Sequence, residues 1–454
     1  MHQRMTHALH FKALFHVSAK RCAIVPPHVL KHLTTAPGAN DRQRALAYNT
    51  LQAMDDVRRS AEAVGRSALG SHRVPALTGE GAKTEPPILI PSYVFADIAK
   101  AKGVPQRTKD RIKLSTEKQT ALKPSNRPVP KHLFRVVRDG HQSNVKSGNV
   151  VIASIDERES SADQGANRIF DYYGQVFEFF FDVYGRNSID DKGFNLIATA
   201  HWDDDNGKTP GYMNAFWDPR TAEWYFGDGD GNVFDDFTKS LDVVGHEYAH
   251  ALTQFTANLP YQFQAGALNE HFSDVFGSLV KQYYHAKGPQ KAEDADWLIG
   301  CGIFLNDGAP ALRSMEAPGT AYDWPEFIGK DPQPADMDGF QDLPMDNDNG
   351  GVHIFSGIPN RAFYLAAIGF GGHAWDKAGK VWYETLIDPE WNAFFNPEKV
   401  SLRNLERNSK NAFVLLANLT CEHAERLLGR EGTQVVKQAW RAVKVLPAPA
   451  QARL

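Results

Sequence analysis

The run LDVVGHEYAH sets His246 and His250 four residues apart, with Glu247 beside the first of them. On a helix that spacing puts both imidazoles on one face, where they can reach a single cation. A carboxylate next to such a pair suits the polarisation of a metal-held water. The plain alternative is a surface helix carrying two histidines, in a chain that has 17. The residues that follow favour the metal. In Gly266-Ala267-Leu268-Asn269-Glu270-His271-Phe272-Ser273-Asp274, Glu270 comes 20 residues after His250. That is enough chain to close one helix, turn, and return a carboxylate on a second. Two histidines and one carboxylate leave a tetrahedral zinc one open position for water. Asn269 and Asp274 flank Glu270, placed to accept the second N–H of each ligand histidine. Read without the metal, they are ordinary capping or solvent-facing residues.

With these motifs the chain resembles the thermolysin-type zinc endopeptidases, of the gluzincin class, over roughly residues 132–445. Four further segments carry the likeness, in family order. Met213-Asn214-Ala215-Phe216-Trp217 resembles the edge strand that holds a peptide by its backbone. Tyr225-Phe226-Gly227-Asp228-Gly229-Asp230-Gly231 resembles the tight turn before the active-site helix. Ala311-Leu312-Arg313-Ser314-Met315 carries the substrate-binding arginine, and Asp348-Asn349-Gly350-Gly351-Val352-His353 the histidine that faces a developing oxyanion.

The resemblance implies a Zn²⁺ ion on His246, His250 and Glu270. Glu247 would take a proton from the attacking zinc-bound water and pass it to the leaving amine. His353 and Tyr261 would stabilise the oxyanion, with Asp348 orienting His353. Asn214, Ala215 and Arg313 would hold substrate backbone. Phe234, Val243, Ile299 and Leu312 match the pocket for the residue after the cut, S1′, which implies cleavage before bulky apolar residues. Taken singly, His353 is a buried histidine, Tyr261 a packed aromatic, and the four apolar residues ordinary core. One departure stands out. Many relatives bind paired calcium ions through clustered carboxylates, and here only Asp242 and Asp296 match, beside Lys281, Leu298 and Cys301. Two aspartates do not supply the six to eight oxygens calcium prefers. The expectation is no calcium pair, with the Lys281 ammonium lying against Asp242, Asp296 or both. The alternative is a Lys281 that points to solvent.

The elements that must position these residues follow from composition and pattern. The chain's 454 residues, 42% hydrophobic, give room for two or three domains. A net charge of −4 offers no signature for nucleic acid. No apolar run is long enough to span a membrane. Three cysteines, Cys22, Cys301 and Cys421, do not make a disulfide framework. Apolar alternation predicts strands over 132–137 and 149–154, then an amphipathic helix from 166 toward Tyr184. Residues 256–445 read as mostly helical. The expected fold class is α+β and thermolysin-like: a strand-rich N-lobe over 132–255, a helical C-lobe over 256–454, and the HExxH helix between them, beside a cleft.

A small pro-region is expected ahead of the catalytic lobes. Cys22-Ala23-Ile24-Val25-Pro26-Pro27 resembles the short Pro-Pro propeptide of the protealysin-like branch. Physically it reads as an extended stretch through Pro26 and Pro27, then a helix. Such a stretch suits a substrate cleft, making the pro-region a partner in cis beside peptide or protein substrates. Cys22 could place a thiolate on the open zinc position; a small buried apolar cysteine is the commoner role. A shift of 65 positions aligns Val25, Pro26, Val29, Leu33 and Arg42 with Ile90, Pro91, Val94, Ile98 and Arg107. This suggests a second pro-unit over 88–115, in a linker region spanning 62–131 after the first unit's 1–61. Residues 62–86 and 116–131 read as the linkers themselves. Residues 1–21 lack the unbroken apolar core of a secretory signal. Export by another route and an intracellular role are the two expectations.

The main reading is a zinc-dependent neutral endopeptidase made as a zymogen. A zinc scaffold without catalysis would not need Glu247. An effector or interaction protein restricted to one partner is the other alternative.

Overall fold

The computed structural model describes residues 22–67, 92–102, 104–110, 112–113, 133–143, 149–155, 157–204, 209–396 and 400–448. The expectations for 1–21, 88–91 and 116–131 lie outside the described residues.

The chain opens with a short strand, β1 (Cys22–Ala23), and helix α1 (Pro27–Leu33). Pro26 is extended, at φ −64° and ψ 147°. The expectation that both prolines are extended is corrected at Pro27, which is the first residue of α1. Proline suits that position because its fixed φ is already helical and its missing N–H would have no partner there. Helix α2 (Asp41–Ser67) follows and runs past residue 62, so residues 62–67 are helix and not linker, and 68–86 lie outside the described residues. Helix α3 (Ser92–Lys100) lies within 88–115, where the sequence suggested a second pro-unit. Val94 and Ile98 are buried in it as Val29 and Leu33 are in α1, but the two helices dock on different surfaces. Val94 and Ile98 pack with Phe134, Val136, Val150, Ala153 and Ile197.

The N-lobe is built on a six-stranded sheet in the order β1-β5-β6-β4-β2-β3. Its strands are β2 (Phe134–Ser143), β3 (Asn149–Ile155), β4 (Leu196–Trp202), β5 (Ala215–Asp218) and β6 (Glu223–Phe226). The pairs β1–β5, β5–β6 and β2–β3 are antiparallel, whereas β4 runs parallel to both β2 and β6. The sheet is therefore mixed at its centre. Between β3 and β4 lies helix α4 (Gln164–Tyr184). Asp163 caps its start by accepting the Ala166 N–H, and Gly185 ends it in the left-handed region. Ile169, Phe170, Tyr173, Phe177 and Phe180 form its buried stripe, each fully buried large apolar side chain contributing about 1.5–3 kcal/mol.

Helix α5 (Leu241–Gln254) carries the HExxH motif, and α6 (Phe263–Tyr283) carries Glu270. Residues 242–253 are buried without a break, so α5 has no solvent face. Its polar side chains must find partners inside the protein. The two helices touch at Gly245 and Gly277: a Cβ on Gly277 would sit 2.5 Å from the Asp242 carbonyl. This close approach brings Glu270 within reach of the histidines. Short strands β7 (Leu298–Ile299) and β8 (Arg313–Ser314) pair beside α6. The C-lobe continues with α7 (Asp348–Phe355), α8 (Gly357–Phe370), α9 (Ala378–Leu386), α10 (Glu390–Phe395), α11 (Leu402–Lys410) and α12 (Ala412–Ala442). Among the described residues no helix is long and apolar enough to cross a membrane.

Candidate active site

His246, Glu247 and His250 bring potential ligand atoms within 4.8 Å of one another. His246 Nδ1 lies 2.8 Å from Asp274 Oδ1, and His250 Nδ1 lies 2.8 Å from Asn269 Oδ1. Carboxylate and amide oxygens only accept, so both Nδ1 atoms carry the proton and both Nε2 atoms present a lone pair. Those two Nε2 atoms face each other at 2.9 Å. Glu270 completes the set, its oxygens 3.6 Å from His246 Nε2 and 3.5 Å from His250 Nε2. Burial, then neighbouring His246, hold His250 well below the usual histidine range, which keeps it neutral as a ligand must be.

These donors fit a divalent cation. Two lone pairs face to face, beside an anionic carboxylate, lack a proton to share and call for a positive charge between them. Among the described residues, Glu270 Oε2 and both oxygens of Glu247 are buried without a hydrogen-bond partner. Nitrogen and oxygen donors in this number suit zinc.

The second layer is equally specific. Asp274 also receives a bidentate pair from Arg313, with Nε and one terminal nitrogen each at 2.8 Å, and a hydrogen bond from Asn360 Nδ2 at 2.8 Å. Despite burial, Arg313 and His246 hold the Asp274 carboxyl well below its ordinary range. Asn360 was not legible in the sequence, because a single asparagine within an apolar helix carries no spacing signal. Tyr261 donates its hydroxyl to Glu270 Oε1, and that hydroxyl lies 3.2 Å from His353 Nε2.

His353 is oriented by Asp348, which accepts both its backbone N–H, at 2.8 Å, and its Nδ1–H, at 2.6 Å. This contact explains the glycine pair in the motif. Asn349, Gly350 and Gly351 all have φ between 53° and 84°, folding the chain back so that Asp348 reaches residue 353. Burial opposes a charge on His353, but Glu270 and Asp348 outweigh it and push its pKa up to about 9. Glu247 moves the other way from a free carboxylate: burial first, then Glu270, raise it well above its ordinary value. The Ile24 and Trp217 N–H groups lower it, from beyond ordinary hydrogen-bond reach.

The cleft beside these groups holds the chain's own N-terminal strand. Cys22 pairs with Trp217 and Ala23 with Phe216, antiparallel on β5. Asn214, Ala215 and Arg313 contact the backbone of Ile24 and Val25. Phe234, Val243, Ile299 and Leu312 are all buried, and share one apolar cluster with Ile24 and Val25. Cys22 packs with Tyr261 and Val352, while burial and the carboxylates of Glu270 and Glu247 push its thiol up. The contacts with Tyr261 and Val352 are those of a small buried apolar cysteine.

Comparison with known proteins gives the same picture. A family model described as the thermolysin metallopeptidase catalytic domain matches residues 108–254, and one described as its alpha-helical domain matches 257–445. The chain belongs to the thermolysin metallopeptidase family. Among relatives of this thermolysin-family chain, "Protease PrtS" of Photorhabdus sp. (strain Az29) is 38% identical, the alignment covering 79% of this chain and 91% of that protein. The "Extracellular metalloprotease" of Pectobacterium carotovorum subsp. carotovorum is 42% identical, covering 68% and 81% respectively. Among solved structures, the precursor of protealysin, a metalloproteinase from Serratia proteamaculans, superposes with a TM-score of 0.66 at 34% identity. That match covers 94% of this chain and 100% of that one. The thermolysin-family chain is a metalloendopeptidase, and zinc is the metal of its family.

One cluster lies away from the catalytic groups. Lys281 Nζ, on α6, sits 2.8 Å from Asp296 Oδ1, 3.2 Å from Asp242 Oδ2 and 2.5 Å from the Leu298 carbonyl. The ammonium thus lies against both aspartates, as the sequence suggested. Burial works against its charge, but Asp242 heads the groups that raise its pKa.

Proposed function

We propose that this zinc-dependent endopeptidase is made as a self-inhibited precursor and cleaves before bulky apolar residues. The observation that carries the reading is the strand Cys22–Ala23 seated on β5, with Ile24 and Val25 held by the groups expected to hold substrate. A cleft filled by its own chain excludes other peptides by mass action, since the tethered segment is at high effective concentration.

Each residue then has a role. His246, His250 and Glu270 hold the metal, with Asp274 and Asn269 fixing the tautomers. Zinc, when bound, supplies a Lewis acid that acidifies water and polarises a carbonyl. Glu247 accepts the proton of the attacking water and delivers it to the leaving amine. His353, held by Asp348, donates toward the carbonyl oxygen, and the Tyr261 hydroxyl, turning from Glu270, adds a second donor as the charge develops. Asn214, Ala215 and Arg313 grip the backbone, and the Phe234, Val243, Ile299 and Leu312 pocket rewards a large apolar side chain.

The calcium expectation extends the proposal. The Lys281 ammonium fills the position between Asp242 and Asp296, so this enzyme needs no calcium pair there.

Val25→Asp tests latency. Val25 is fully buried, and a carboxylate there must either leave the cleft or give up its charge. Full-length V25D protein is expected to hydrolyse dye-labelled casein at once, where the wild type shows a lag. An unchanged lag would show that the strand is not what restrains the enzyme.

A further inference from the structure

The pro-strand does more than fill the cleft: its hydrogen bonds set a register. The Ala23 carbonyl oxygen lies 2.9 Å from His353 Nε2. The next carbonyl, of Ile24, accepts from Arg313 at 3.0 Å. The Ile24 N–H donates to the Ala215 carbonyl at 3.2 Å. The Val25 N–H donates to Asn214 Oδ1 at 2.8 Å, and Asn214 Nδ2 returns a bond to the Val25 carbonyl at 3.1 Å. Both side chains that follow the Ala23 carbonyl, Ile24 and Val25, are fully buried. One peptide bond therefore has its carbonyl at the expected oxyanion donor and its N–H paired with β5.

We infer that Ala23–Ile24 is held as a scissile bond, and that the enzyme cuts its own pro-region there. The inference rests on the peptidase reading above and adds the bond and the register. The oxygen of a water molecule adds to the Ala23 carbonyl carbon, and the bond to the Ile24 nitrogen breaks. Glu247 relays a water proton to that nitrogen. The products are an Ala23 carboxylate and an Ile24 amine, with no oxidation or reduction.

The two sides of this bond are anchored unequally. Downstream, Pro26 has no N–H for the strand and α1 carries the chain away from β5. That side is fastened by His28 to the Tyr322 hydroxyl at 2.9 Å and His32 to the Pro325 carbonyl at 2.7 Å. Arg42 reaches the Asp230 carbonyl at 2.7 Å, and Gln43 the Asp230 carboxylate at 2.9 Å. Cleavage at Ala23–Ile24 thus leaves the new N-terminus docked, with Ile24 and Val25 still held by Arg313 and Asn214. Cutting this bond and losing latency are separate events.

N-terminal sequencing and intact mass of the full-length protein after incubation test the idea. A wild-type species beginning at Ile24 is expected, absent from Glu247→Gln and formed at least about tenfold more slowly in Ile24→Ala. In parallel, a synthetic peptide spanning residues 19–30, with serine for Cys22, is given to enzyme that hydrolyses casein; it should split between alanine and isoleucine. If that active enzyme leaves the peptide whole or cuts another bond, or if the wild type never yields an Ile24 terminus, the register is wrong. If casein is not hydrolysed at all, the peptidase reading fails, and this inference falls with it.

Discussion

Glu247→Gln is expected to keep its zinc and lose about 10²- to 10⁴-fold in peptide hydrolysis. The amide has the size of the carboxylate, and the ligand set of His246, His250 and Glu270 is untouched. Only the capacity to take a proton from water disappears. Glu247 is suited to that task by position, since it is fully buried and neither oxygen has a hydrogen-bond partner among the described residues. A structural carboxylate this deep would be satisfied by donors. The check is turnover of a casein or short-peptide substrate together with zinc content. Near-normal turnover with zinc in place would remove Glu247 from the mechanism. Normal loss of turnover with loss of zinc would make it a ligand instead.

Lys281→Met should destabilise the protein by about 3 kcal/mol, because it leaves a buried carboxylate without its cation. Asp242 is fully buried, bonded by Ser240 Oγ and the Gly300 N–H besides Lys281. Asp296 is half exposed and contributes less. A fall in Tm of roughly 5 °C or more is the expected readout. In the wild type, adding calcium or a calcium-selective chelator should leave Tm where it is. A large calcium-dependent rise in the wild type would contradict the proposed loss of the site, and an unchanged Tm in K281M would show that the ammonium does not matter.

The catalytic centre was legible because its chemistry demands short, fixed spacings. His246 and His250 must be four apart to share a helix face, and Asn269, Glu270 and Asp274 must lie along one following helix to serve them. The glycine pair before His353 was legible as a motif, though its reason, a left-handed turn that brings Asp348 onto His353, needs the backbone angles. Contacts between distant segments left no trace in the pattern. Asn360 on Asp274 and Gln43 on Asp230 join residues 86 and 187 positions apart. The parallel centre of the sheet was hidden for a similar reason, since apolar alternation fixes which face of a strand is buried but not the direction of its neighbour. Pro27 was misread because two adjacent prolines favour extension locally, whereas a helix start accepts the second without cost. Within the suggested second pro-unit at 88–115, the helix Ser92–Lys100 was visible as an amphipathic pattern. Its docking on β2–β3, far from the cleft, depended on which apolar surface was left uncovered.

The central claim is a zinc-dependent peptidase whose cleft is closed by its own N-terminal strand. It is tested most directly by measuring zinc per chain and casein hydrolysis on the same sample after the strand has been removed. The account predicts about one zinc ion per chain, activity lost with a strong zinc chelator, and activity restored in proportion to zinc returned. Full hydrolysis by metal-free protein, or none by zinc-loaded protein with the cleft open, would contradict it.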